Sequence, residues 1–149
     1  MTATNHAITG AIIATLIDKP IIALPLALAS HFVTDMLPHF GFAGHGGYKA
    51  GMKRRLQKIV MVADLVLFIP FILILLHYHV PFWTYAAAFL ALCPDFHDFL
   101  AYFLFGKNNG WNWFSKWAGQ IQWCERPWGI IVEIVWYVGG LAILVNLLS

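Results

Sequence analysis

The sequence predicts an all-α protein: an integral-membrane helical bundle of four spanning helices plus a short N-terminal helix. Three observations predict it. Of 149 residues, 60% are hydrophobic and only 11% charged, where a soluble domain is about half apolar and about a quarter charged. Three stretches reach the roughly 20 apolar residues that a crossing helix needs, and a fourth comes close. Five of the seven carboxylates, Asp35, Asp64, Asp95, Asp98 and Glu133, fall inside those stretches. The mean hydropathy of +0.72 excludes a nucleic-acid-binding domain, a disordered chain and an ordinary cytosolic enzyme. So small a globule buries too little surface to hide that apolar surplus. A single domain over residues 1–149 is expected.

The elements follow in chain order. Ala7 to Ile17 is too short to cross alone and fits a half-helix packed against protein at membrane depth. Pro20 to Leu37 is marginally long enough and opens with a proline, which a first helical turn tolerates. Ile59 to Tyr78 is the clearest span, followed by Pro81 to Phe105 and Trp128 to Leu148. The first basic residue is Lys19, so no removable signal peptide is expected. Cys93 and Cys124 lie far apart and make neither a disulfide framework nor a zinc knuckle.

Basic residues orient the bundle. Lys49, Lys53, Arg54, Arg55 and Lys58 fill one loop, and Lys107, Lys116 and Arg126 another. Both loops are expected at the cytoplasmic face, where the first also attracts anionic lipid headgroups. Trp113, Trp117 and Ile121 share a helical face that suits the interface. His77 and His79 fall at the opposite membrane face as anchors. His45 sits in a glycine-rich linker.

On this topology five segments deliver polar groups to one layer near the cytoplasmic side. His6 opens the short helix. His31, Asp35 and His39 recur every fourth residue, a spacing that lines up side chains on one helix face. Asp64 lies about 9 Å into its helix at 1.5 Å per residue. Pro94-Asp95-Phe96-His97-Asp98 and Glu133 complete the layer. Charged groups within a bilayer are costly and mark functional sites. No Lys or Arg of the predicted spans lies in this layer to neutralise Asp35, Asp64, Asp95, Asp98 and Glu133, so a cation is expected. His6, His31, Asp35, His39, Asp64 and Asp95 are the expected metal ligands. His97, Asp98 and Glu133 are further ligands, orienting groups or the general base. The candidates outnumber the four ligands of one zinc ion, so two or more divalent ions, or one ion with a base, fit best.

Thr4-Asn5-His6 with Gly10, Asp35-Met36-Leu37-Pro38-His39 and Pro94-Asp95-Phe96-His97-Asp98 carry a family resemblance. The chain resembles a family of small bacterial inner-membrane proteins described as metal-dependent hydrolases, of the LexA-regulated type. It also looks like a membrane-embedded relative of zinc-dependent phospholipase C. In the family a later His-Arg-x-x-x-His stretch stands where this chain has Glu125-Arg126-Pro127-Trp128, so the resemblance passes that contribution to Glu133. It implies a multi-pass bacterial inner-membrane hydrolase with zinc as cofactor. The expected activity is hydrolysis of a phosphoester in a phospholipid or lipid phosphate. Membrane lipid is the expected partner, and nucleic acid is not. A proton or divalent-cation transporter would use the same polar residues as a pathway, although no inverted repeat is visible. A structural or regulatory membrane protein would use them only to bind helices together.

Overall fold

The computed structural model describes residues 1–40, 50–105, 117, 120–121 and 124–149, apart from the side chains of 50–54, 57 and 96–105. The described elements are α1 (Ala3–Leu16), α2 (Pro20–Asp35), α3 (Ala50–His77), α4 (Phe82–Phe105) and α5 (Ile130–Leu148). A 3-10 turn at Pro127–Gly129 leads into α5. Two two-residue strands, β1 (His39–Phe40) and β2 (Glu125–Arg126), pair in parallel with His39 opposite Glu125. No pattern in the sequence marks so short a pairing. It ties the exit of α2 to the approach of α5.

The all-α expectation agrees with the structure, but the four spans do not all follow. Among the described residues two helical stretches are long and apolar enough to cross a membrane, Lys58–His77 and Pro127–Leu148. The 16 residues of α2 rise about 24 Å, against a hydrocarbon core of roughly 30 Å. The 24 residues of α4 have the length, and its side chains from residue 96 onward lie outside the described residues. Only 11% of the α3 stretch and 17% of the α5 stretch are buried. Leu65 is 68% exposed and Val135 65%. Such faces are not those of a globular core.

The short helix is the hub. α1 packs against α2, α3, α4 and α5, and its Ala7, Ile8 and Ala11 are wholly buried. Small residues set the approach. A Cβ at Gly10 would lie 2.5 Å from the Ala87 carbonyl oxygen and 2.8 Å from Ala91 Cβ. One at Gly140 would lie 2.7 Å from Ile8 Cγ2. Ala14, Ala23, Ala27, Ala87 and Ala91 pack together where α1, α2 and α4 meet. Small residues let helices approach this closely.

α1 also starts earlier than the sequence indicates, at Ala3 rather than Ala7. It has no side-chain cap of its own and no acid in its first turn. Its orphan N–H groups are met from other helices. Ala3 and Thr4 donate to the two oxygens of Asp64 at 3.0 and 3.2 Å, and Thr2 donates to Glu133 Oε2 at 3.0 Å. At the far end of α3 the chain reverses through His79, whose φ is 49°. Val80 N–H reaches the Leu75 carbonyl and His79 N–H the Leu76 carbonyl, the paired bonds of a left-handed helix stop. That turn sends α4 back beside α3.

Candidate metal centre

Three helices bring four ligand groups together. Asp35 is the last residue of α2, and His31 stands one turn before it on the same face. His6 lies in the buried first part of α1, and Asp95 follows Pro94 in α4. One ligand atom from each of His6, His31, Asp35 and Asp95 lies within 4.8 Å of all the others. His6 Nε2 is 3.1 Å from Asp35 Oδ1 and 3.6 Å from Asp95 Oδ2. His31 Nε2 is 3.3 Å from Asp35 Oδ2 and 3.8 Å from Asp95 Oδ1. Ligands at about 2.1 Å from one tetrahedral ion stand roughly 3.4 Å apart. The observed separations bracket that figure.

The imidazoles are oriented for the same purpose. His31 Nδ1 donates to the Ala91 carbonyl at 2.8 Å, and an acceptor there puts the proton on Nδ1. The Thr34 hydroxyl donates its single proton to the Ser30 or His31 carbonyl, at 2.9 and 3.0 Å. It therefore accepts from His6 Nδ1, 2.9 Å away. In the neutral ring each Nε2 then presents a lone pair to the carboxylates. His6 Nε2 is accordingly a buried acceptor without a hydrogen bond, facing carboxylate oxygens. His6, His31, Asp35 and Asp95 could hold a cation. The two rings stack, with centroids 4.0 Å apart.

The site is enclosed on one side and open on another. The side chains of His6, His31 and Asp35 are 0 to 3% exposed, and that of Asp95 is 32% exposed. Asp35 Oδ1 also accepts from the Met1 ammonium at 2.5 Å.

Asp64 and Glu133, expected as a ligand and a catalytic group, lie at the start of α1 and outside the four-residue group. Both Asp64 oxygens accept backbone N–H groups, and its carbonyl accepts from the Thr4 hydroxyl at 3.0 Å. Glu133 accepts from the Thr2 hydroxyl at 2.9 Å and from Asn5 Nδ2 at 2.6 Å. The positive end of a helix dipole thus answers two of the carboxylates for which the sequence offered no basic partner. Asp64→Asn is expected to lower the melting temperature, by about 0.5–2 kcal/mol of lost capping, with bound metal unchanged in the folded protein. Loss of metal at an unaltered melting temperature would make Asp64 a ligand after all.

His39 is buried, but its Nδ1 donates to the Leu37 carbonyl at 2.9 Å, and it is not in the four-residue group. The side chains of His97 and Asp98 lie outside the described residues, as do His45 and Trp113. Trp117 lies 5.1 Å from the ring of Phe32, next to His31.

Sequence reasoning missed Thr34, Thr2 and Asn5. Thr34 stands immediately before Asp35, yet only the packing of α1 on α2 shows that it serves His6. Groups that fix a ligand's tautomer change metal affinity by about 10–100-fold when removed. Thr34→Val is expected to weaken metal binding by that factor in a titration, and Thr34→Ser to restore it.

No family model, curated protein or solved structure matches this chain.

Proposed function

We propose that this protein is a membrane-embedded, metal-dependent hydrolase acting on a phosphoester, with a lipid headgroup as the substrate class. One observation carries the reading: His6, His31, Asp35 and Asp95 converge from three helices with ligand atoms within 4.8 Å, and both imidazoles are fixed through Nδ1. Two imidazole nitrogens and two carboxylate oxygens suit zinc and other divalent ions of similar preference. Such an ion polarises a phosphoryl oxygen and lowers the pKa of a water molecule. The chain's own residues hold and orient it. Asp35 bridges the two imidazoles, and the more open Asp95 marks the side from which substrate approaches.

The apolar exteriors of α3 and α5 support immersion in a bilayer. In this reading α2 and α4 cross as well, with α1 sheltered among them, in a bacterial inner membrane. The ligand layer then faces the cytoplasm, at the end of α3 that carries Arg55 and Lys58. The family resemblance supports hydrolysis over transport, and so does a cluster confined to one end of the bundle.

Elemental analysis of purified protein, with hydrolysis of bis(4-nitrophenyl) phosphate and of vesicle phospholipid before and after chelation, tests the proposal. Bound divalent metal and chelator-sensitive release of phosphate product are expected. Metal-free protein that is fully folded would defeat it.

A further inference from the structure

One of the cluster's helices, α4, carries a second feature towards the opposite end of the bundle and shares it with α3. α3 and α4 are joined by a tight turn, yet an apolar cavity of about 200 Å³ remains between them. Phe68, Phe71 and Ile72 line it from α3, and Ala88, Phe89 and Leu92 from α4. Leu75 and Tyr85 close the end nearest the turn. Phe71, Leu75 and Ala88 form a buried floor, whereas Phe89 on the rim is 52% exposed. The cavity therefore opens sideways, past the exposed rim at Phe89.

Its alignment is the informative part. On α3, Asp64, Phe68, Ile72 and Leu75 follow one another at spacings of three and four, a single helical stripe. On α4, Asp95, Leu92, Ala88 and Tyr85 do the same in reverse. Both stripes are apolar along the cavity and end, one turn further on, in a carboxylate at the α1 start. The lined part spans about 10 Å of helix at 1.5 Å per residue. A void of this kind forfeits dispersion contacts if it stays empty, and an apolar cavity of about 150 Å³ already takes up a hydrocarbon guest.

We infer that the groove between α3 and α4 is an acyl-chain site, holding one hydrocarbon chain of a lipid whose phosphate-bearing headgroup lies at the His6–His31–Asp35–Asp95 cluster. The identity of that headgroup rests on the hydrolase reading, while the chain site rests on the groove itself. α4 thus serves both, lining the groove and contributing Asp95 to the cluster. The lateral opening lets the lipid arrive from the bilayer without leaving it.

The test uses the full-length protein in phosphatidylglycerol–phosphatidylethanolamine vesicles doped with phosphatidylglycerol bearing a diazirine in one acyl chain. After irradiation, label is expected on Phe68, Ile72, Phe89 and Leu92 well above Ile134 and Val138, which face outward on α5. Ala88→Leu fills the floor, and Ile72→Trp fills the groove from its half-buried wall should the first variant fold poorly. Each is expected to remove the preferential label while bound metal stays constant. Label spread evenly over α3 and α5, or preference untouched in folded variants, overturns the inference and describes ordinary bilayer contact. Preferential label without any lipid hydrolysis by metal-loaded protein upholds the chain site and defeats the hydrolase reading. Hydrolysis with evenly spread label does the reverse.

Discussion

Asp35→Ala protein is expected to purify from membranes without bound divalent metal and without phosphodiesterase activity. Asp35 is the one carboxylate that faces both imidazoles at short range, 3.1 Å from His6 and 3.3 Å from His31. Removing it halves the acidic ligand set and leaves two lone pairs facing each other in a buried space. Loss of an outer partner alone costs about 10–100-fold in affinity, so loss of this ligand should exceed that range. Asp35→Asn separates charge from shape: it keeps the side chain's volume and should bind metal almost as poorly. A saturating metal titration followed by elemental analysis reads both variants. Full occupancy in Asp35→Ala, in protein that folds like the wild type, would remove Asp35 from the site. Thermal stability adds a second readout. An ion present at 100 times its Kd contributes about 2.7 kcal/mol, so chelation should lower the wild-type melting temperature and leave that of Asp35→Ala unmoved.

Gly10→Val is expected to be the most damaging single change outside the ligands. Its Cβ alone would stand 2.5 Å from the Ala87 carbonyl oxygen, and backbone cannot yield as a side chain does. Overpacking of this kind costs about 1–3 kcal/mol and occasionally more. The displaced element is α4, which carries both Asp95 and the Ala91 carbonyl that orients His31. The variant should therefore lose metal affinity together with stability, although Gly10 is no ligand. Gly139→Val is the matched control, because a Cβ there meets nothing within 4 Å. A melting temperature equal for both variants would show that the contact between α1 and α4 is not tight.

The parts of this architecture that were legible in the sequence are those governed by short-range rules. The apolar run after Lys58 marks α3 by length alone. His31 and Asp35 declare a shared face by their spacing, and Pro94 flags the place where Asp95 enters. His6 was placed in the same layer by topology, and it joins the other three. The duties of Asp64 and Glu133 were not legible. A carboxylate that caps a helix usually sits in that helix's own first turn, where a pattern can be read. Here the capped helix and its two acids are separated by most of the chain. Nor could the spans be counted reliably. Composition sees an apolar segment, but α2 stops at Asp35, and the side chains of α4 beyond Asp95 lie outside the described residues. His39 shows the same limit. Its fourfold spacing continues the stripe of His31 and Asp35, yet the helix ends at Asp35 and the chain enters a strand.

The capping of α1 has a consequence for biosynthesis. Thr2 and its acceptor Glu133 are 131 residues apart, and α1 needs a carboxylate from α5. At about 5–20 residues per second, roughly 7 to 26 s pass between their syntheses. Over that interval α1 can pair with α2 and later with α3 and α4, but the donors of Thr2 and Asn5 lack their acceptor. Non-local closure of this kind comes late in folding. The nascent protein therefore makes the intervening residues with a small-residue helix incompletely docked. Until α5 arrives, water or another polar partner must meet those donors.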